Sequence, residues 1–241
     1  MEEGIRFFDA KYQGQKYLAY FQAYSNTYAS LEVLKSRYEE ALAHPKVVGL
    51  VIATRPDAVN EEILDYIAGL SKHCYVCMEY GVESVNERVL ETIHRRHSYR
   101  EAEWAICATA ERGIYVGAHL IFGLPGETKE SMLEGAVRLG NLPLHVLKLH
   151  QLQIIKDTVM AEEYARNPEK FQLYSVYDYL DFVVEVIGKL CPEVYLERFV
   201  NQSPPEYLIA PNWRVKNFEF VALLDKKLEE KDVWQGKYRN I

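Results

Sequence analysis

Apolar positions along this chain fall into two alternating rhythms. Runs rich in β-branched and aromatic residues recur at KYLAYFQA (16–23), VVGLVIAT (47–54), CYVCMEYG (74–81), YVGAHLIFG (115–123) and HVLKLHQLQI (145–154), with the length and character of buried strands. Between them apolar residues follow helical spacing, as in Leu31, Leu34, Tyr38 and Leu42, and then Ile63, Leu64, Ile67 and Leu70. Helix starts are marked by Asn60 before Glu61 and Glu62, by Asn86 before Glu87, and by Thr128 with Ser131 and Glu134, because free N–H groups and the helix dipole favour such residues in a first turn. Gly113 stops the helix that carries Trp104 and Ile106. The alternation predicts five parallel strands joined by crossover helices, a wound or partial barrel rather than an open doubly wound sheet, with the site at the C-terminal strand ends. From about residue 167 the rhythm changes to a helix near 176–190, a short strand VYLERFV, a Pro204–Pro205 turn and a charged helix around 218–231. The predicted division is therefore a barrel over 1–166 and a small α+β C-terminal extension over 167–241.

With 241 residues, 49% of them apolar, the chain is long enough for a substantial core. A net charge of −7 excludes wholesale coating of a nucleic-acid backbone while leaving room for a local basic patch. No apolar run approaches the roughly 18 residues of a membrane span, and the start MEEGIRFF is acidic where a secretion signal would be basic, so a cytoplasmic protein without membrane contact is expected. Cys74, Cys77, Cys107 and Cys191 are too few and scattered for a disulfide framework. Cys74 and Cys77 form a CxxC, yet residues three apart in a strand point to opposite faces, so the packing reading is preferred over a metal or redox site.

Polar residues at expected strand ends are Gln22 with Asn26, the stretch Thr54 to Asp57 that includes Arg55, Glu79 and Glu83, His119, and His150 with Gln151. Such a set suits a polar, zwitterionic or phosphorylated small molecule better than a lipid; solvated loop ends are the alternative. The loop GLPGET (123–128) either brings backbone N–H groups close to a ligand or is only a tight turn between strand and helix. Arg95, Arg96 and His97 either grip a carboxylate or phosphate or form a solvated helix end. Glu61, Asp65 and the run DKKLEEKD read as exposed helix surface.

The segments AYFQAYSNTYA, GLVIATRPD, MEYGVESVNERVLETIHRRHSY and GAHLIFGLPGETKESM, in this order, together with KLHQLQIIKDT and SPPEYLIAP, resemble the radical S-adenosylmethionine (radical SAM) superfamily. They look most like a bacterial subfamily related to the catalytic subunit of Elongator. The resemblance implies an oxidoreductase with a partial TIM-like (βα)6 barrel and a [4Fe–4S] cluster held by a C-x3-C-x2-C loop. S-adenosylmethionine bound at that cluster is cleaved to a 5′-deoxyadenosyl radical that abstracts hydrogen from a substrate, a tRNA wobble uridine by analogy with Elongator-type relatives, with flavodoxin or ferredoxin as reductant. It also implies cofactor-binding residues: Gln22 and Asn26 at the methionyl amino group; Glu83 at the ribose, where relatives carry Gln; Arg95 at the carboxylate; and Glu79. His119, Ile121 and Gly123 fall beside adenine and ribose, with His119 where relatives often have an acid. Gln151 and His150 face adenine or substrate, and Arg55, Lys156 and Thr158 line the substrate mouth.

C-x3-C-x2-C occurs nowhere in the 241 residues, and the chain starts just before what should be the second strand. The expectation is a fragment lacking the first βα unit, through truncation rather than loss, that neither binds the cluster nor generates the radical. Its exposed second strand is expected to drive dimerisation. Two other functions stay open: a cluster-less barrel that binds a nucleoside or RNA, and a metal-free enzyme using Glu79 and His119 in acid–base chemistry.

Overall fold

The structure is a computed structural model that describes residues 2–12 and 14–239; Met1, Gln13, Asn240 and Ile241 lie outside the described residues. In chain order the elements are α1 (Glu2–Lys11), β1 (Tyr17–Phe21), α2 (Leu31–Leu42), β2 (Val47–Thr54), α3 (Glu61–Ser71), β3 (Tyr75–Glu83), α4 (Glu87–Thr92), α5 (Tyr99–Glu111) and β4 (Tyr115–Phe122). They continue with α6 (Lys129–Gly140), β5 (Val146–Gln151), β6 (Ile154–Ile155), α7 (Val159–Arg166), α8 (Val176–Lys189), β7 (Tyr195–Arg198), β8 (Leu208–Ala210) and α9 (Asn217–Glu230). The main sheet runs β1-β2-β3-β4-β5-β7, with β1, β2 and β3 paired in parallel and β5 paired in parallel with β7. The five strands expected from the apolar runs are all present. A sixth comes from VYLERFV, inside the expected extension, because its backbone pairs with β5 although Tyr195 is 76% exposed. Helix α1 and the small antiparallel β6–β8 ladder add to what the apolar rhythm indicates.

The chain forms two compact units. The first comprises residues up to Gly81 together with Glu101–Gly117. Here α2 buries Leu34, Tyr38 and Ala41, spaced so that they share one face, and α3 buries Ile63, Leu64 and Ile67. Asn60 caps α3 by accepting from the Ile63 N–H at 2.9 Å. Buried hydroxyls are satisfied: the Tyr38 hydroxyl donates to the Asn26 carbonyl at 2.6 Å, and Tyr80 meets Thr109 at 2.7 Å. Arg112 clamps Glu61 and Asp65, so these two acids tie α3 to the end of α5 rather than standing free on a helix surface.

The second unit comprises Val82–Arg100 and Ala118–Ile241. Helix α8 is its central element, burying Tyr179, Leu180, Phe182, Val183, Val184, Val186 and Ile187. The rings of Tyr179, Phe122, Phe182, Trp213 and Phe220 pack around it, and the Tyr179 hydroxyl donates to the Phe199 carbonyl at 2.9 Å. Thr128 and Ser131 cap α6 reciprocally in a capping box.

Gly49 in β2 lies opposite Tyr75 of β3, and a Cβ at Gly49 would stand 2.2 Å from the Tyr75 carbonyl oxygen and 2.7 Å from its Cβ. Because backbone atoms of a paired strand cannot yield cheaply, Gly49→Ala is expected to destabilise the chain by about 1–3 kcal/mol, read as a lower urea midpoint. An unchanged midpoint would show that the β2–β3 ladder is looser than described.

Candidate functional site

In the first unit the C-terminal end of β1 runs into exposed Gln22 and half-buried Asn26. Both Asn26 amide hydrogens are engaged, Nδ2 donating to the Phe21 carbonyl at 2.9 Å and the Ala53 carbonyl at 2.8 Å. This side chain therefore ties the ends of β1 and β2 together, and its Oδ1 acceptor is what it offers a ligand. Glu79 is buried in β3 and accepts from the Tyr20 hydroxyl at 2.7 Å. Arg55 follows β2 and forks onto Asp57, which raises the guanidinium pKa through that hydrogen bond.

In the second unit the densest polar arrangement follows β3. Arg95 Nη2 lies 2.9 Å from Glu83 Oε1, and Arg95 Nε donates to His97 Nε2 at 3.1 Å. His97 is 5% exposed, and its Nδ1 faces the Ser98 carbonyl at 3.3 Å. With Nε2 accepting, the geometry puts the ring proton on Nδ1, so the imidazole is neutral and holds the guanidinium from behind. Glu83, His94 and Arg96 adopt positive φ values of 67°, 54° and 60°. Each left-handed residue without glycine's freedom costs on the order of 1 kcal/mol, and α4 with the cap of Asn86 on the Arg88 N–H holds the segment in that shape. Of the two readings of Arg95, Arg96 and His97, the built array fits Arg95 and His97, since a solvated helix end has no buried imidazole behind its arginine.

The loop after β4 is shaped by the protein's own contacts. Gly123 (φ 94°) donates its N–H to Met132 Sδ at 3.0 Å, and a Cβ there would stand 3.0 Å from the Gln172 carbonyl oxygen. The close approach that demands glycine is thus to Gln172, which accords with a tight turn. Ile121 packs against the cluster of Val89, Leu124 and Leu152. Ser84, 2% exposed, donates to Glu127 Oε1 at 2.5 Å and accepts from the Asn86 N–H at 3.1 Å. Burial pushes the Glu127 carboxyl up to about 7, offset in part by the Ser84 hydrogen bond, and Glu127 Oε2 is buried with no hydrogen-bond partner. Ser84 and Glu127 were not among the sequence candidates. The signal was a lone acid following Leu124 and Pro125 in a loop otherwise judged by its glycines.

His119 and His150 lie with ring centroids 5.5 Å apart, tilted by 60°. Gln151 is buried, and its amide pairs twice with the Asn201 backbone, donating to the carbonyl at 3.0 Å and accepting from the N–H at 2.9 Å. Thr158 caps α7 through the Ala161 N–H, and Lys156 Nζ donates to the Glu206 carbonyl at 2.5 Å. The second unit therefore gathers Glu83 with Arg95 and His119 with His150, while Gln151, Lys156 and Thr158 hold neighbouring backbone.

Among the described residues no three His, Cys, Asp or Glu side chains converge on a metal position, and Cys74 and Cys77 point their sulfurs at the Leu70 and Met78 carbonyls. The Arg95 array does fit the anionic end of a zwitterionic ligand, because its guanidinium is half-buried, oriented and already carrying a carboxylate.

The sequence model for the Radical SAM superfamily matches residues 1–136, and that for the Radical_SAM C-terminal domain matches residues 144–230. The chain is 35% identical to YtqA of Bacillus subtilis, over 95% of this chain and 70% of YtqA. It is 32% identical to YhcC of Escherichia coli, over 92% of this chain and 71% of YhcC. A more distant relative is the tRNA uridine(34) acetyltransferase of Dehalococcoides mccartyi, 24% identical over 75% of this chain and 39% of that protein. Among solved structures, Elp3 of Methanocaldococcus infernus with an N-terminal deletion superposes with a TM-score of 0.69 at 21% identity, covering 84% of this chain and 46% of that one.

The raised Glu127 pKa has a stability consequence with a definite sign. The unfolded chain ionises this carboxyl near 4.5 and the folded chain near 7, so its protonated contribution is fully present below pH 4.5 and is lost as pH rises to about 7. Glu127→Gln, which mimics the protonated acid, is expected to be more stable than the parent by on the order of 2 kcal/mol at pH 8 and equal to it at pH 4, by urea denaturation. A variant equally destabilised at both pH values would contradict this.

Proposed function

The chain belongs to the radical SAM superfamily, and from that membership we propose that it works with S-adenosylmethionine, whose polar ends its strand-end residues hold. The observation that carries the reading is the array of Glu83, Arg95 and His97 in the second unit. Arg95 takes the methionyl carboxylate, since a planar guanidinium with its Nε locked by a neutral imidazole presents its outer edge in a fixed orientation. Glu83 accepts from ribose hydroxyls after yielding its place on Arg95. Ile121 supplies an apolar face beside adenine, next to Gly123, His119 and Gln151. In the first unit, taken by itself, Gln22, Glu79 and the Oδ1 of Asn26 are proposed as acceptors for an ammonium group.

When bound and reductively cleaved, S-adenosylmethionine supplies a carbon radical able to abstract hydrogen. That cleavage requires a [4Fe–4S] cluster, and the contribution proposed for the residues described here is binding and orientation of the cofactor. Flavodoxin or ferredoxin is the proposed reductant of the whole protein, and the reaction is proposed to be cytoplasmic. No helix among the described residues is long and apolar enough to cross a membrane. The proposed substrate is a tRNA wobble uridine, supported by the relative that bears the name tRNA uridine(34) acetyltransferase. Arg55, His150, Lys156 and Thr158 are proposed on the substrate side.

Self-association belongs to the same proposal. β1 is an edge strand of the main sheet, with Leu18 and Tyr20 about 45% and 41% exposed, and exposed backbone of this kind pairs readily with another copy. Light scattering is expected to show a dimer that Leu18→Lys weakens; a monomer at high concentration would oppose it.

Calorimetric titration with S-adenosylhomocysteine tests the cofactor reading without any cluster. The chain is expected to bind it, with affinity falling at least ten-fold in Arg95→Ala and less in Arg95→Lys. Absence of binding, or binding indifferent to Arg95, would overturn the assignment.

A further inference from the structure

A cavity lies in the second unit where β5 ends. It measures about 530 Å³, within the usual range for small-molecule sites, and Gln151, the last residue of β5, is part of its wall. The wall is a framework of amides that satisfy one another. Besides the pairing of Gln151 with Asn201, Gln153 donates to the Asn201 carbonyl at 3.2 Å and accepts from the Ser203 hydroxyl at 2.8 Å, and Gln202 donates to the Val215 carbonyl at 3.3 Å. These bonds fix the segment after β7 against the end of β5, so the cavity is held open by side-chain hydrogen bonds rather than by chance packing.

Two cations and an indole complete the lining. Arg214 and Lys216 are both exposed, and no carboxylate lines the cavity. Neither makes an ion pair among the described residues; the nearby Glu219 accepts from the Lys216 backbone N–H at 2.7 Å as a helix cap. Arg214 is held at φ 52°, a conformation costing on the order of 1 kcal/mol. Trp213 is fixed by its Nε1, which donates to the Tyr174 carbonyl at 2.9 Å, and by stacking on Phe220. In a chain of net charge −7, a cavity with two cations, no acid, fixed amides and an indole edge is matched to an anion carrying a polar ring.

We propose that this cavity is a nucleotide subsite, in which Arg214 and Lys216 hold a phosphate while the amide wall and Trp213 face the nucleoside. The nucleotide comes either free or as one unit of an RNA strand; the phosphate chemistry is common to both. The inference rests on the proposed function only for treating the ligand as the substrate.

The test uses the full chain, with uridine 5′-monophosphate, adenosine 5′-monophosphate, inorganic phosphate, uridine and a short RNA stem–loop as probes, followed by calorimetry. The expected result is binding of a nucleotide or of the stem–loop that weakens at least ten-fold in the double variant Arg214→Glu, Lys216→Glu, with uridine at least ten-fold weaker than its monophosphate. Lys226→Glu, a charge change on the exposed face of α9, is expected to leave binding unchanged. Mononucleotide binding identifies a free nucleotide, and binding of the stem–loop alone identifies an RNA strand. No binding by any probe, equal loss in Lys226→Glu, or binding of inorganic phosphate as tight as that of the nucleotides would overturn the proposal. If circular dichroism shows that the double variant is misfolded, Arg214→Gln gives the same reading with a smaller loss. None of these probes needs the cofactor, so nucleotide binding by a chain that ignores S-adenosylhomocysteine would separate this proposal's success from that reading's failure.

Discussion

A strand that pairs in parallel with its predecessor must be reached by a crossover, so each strand's outgoing loop begins at its C-terminal end. The rest of this structure follows from that constraint. In the first unit it leaves Gln22 after β1 and Arg55 after β2; in the second it leaves Glu83 at the end of β3, Gly123 after β4 and Gln151 at the end of β5. The interior residues of the same strands are spent on the core, as Leu50 and Ile52 of β2 and Leu147 and Leu149 of β5 illustrate. Polar candidates lie both in these loops and inside the strands, as Glu79 in β3, His119 in β4 and His150 in β5 show, and what each does depends on whether its polar groups are consumed by neighbouring backbone.

That distinction separates the candidates. Gln151 and Asn26 spend their amides on carbonyls, and Thr158 spends its hydroxyl on a helix cap, so they shape the loops around them. Arg95 is different because two of its partners, Glu83 and His97, are side chains. A buried neutral His97 fixes one edge of the guanidinium and Glu83 carries charge on the other, an arrangement in which an incoming carboxylate replaces one already present instead of meeting a bare cation. Glu127 shows the opposite case: a carboxyl without a cation is kept neutral by burial up to about pH 7.

The sequence made the strands and helix starts legible because each is a local signal. β2 spans the apolar run 47–54, and Asn60, Asn86 and Thr128 cap the helices they precede. β7 was harder to read as a sheet strand, since a four-residue segment with exposed side chains carries little apolar signal and its partner lies about 50 residues away. The candidate site was open to reading only as a list of strand-end positions, taken from the likeness to a family, and not as contacts. Nothing local indicates that Gln151 would pair with Asn201, that His97 would back Arg95, or that Ser84 would meet Glu127 across 43 residues. The CxxC reading rested on strand alternation, but β3 begins at Tyr75, so Cys74 precedes the strand and its sulfur faces the Leu70 carbonyl.

The central claim is that Arg95 is the anchor for the anionic end of an adenosyl ligand. A crystal structure of the chain with S-adenosylhomocysteine measures this directly. The account predicts the ligand carboxylate on the Arg95 guanidinium, the Arg95–His97 bond kept, and Glu83 moved from Arg95 toward the ribose hydroxyls. A ligand bound elsewhere, with the Glu83–Arg95 pair intact, would contradict it.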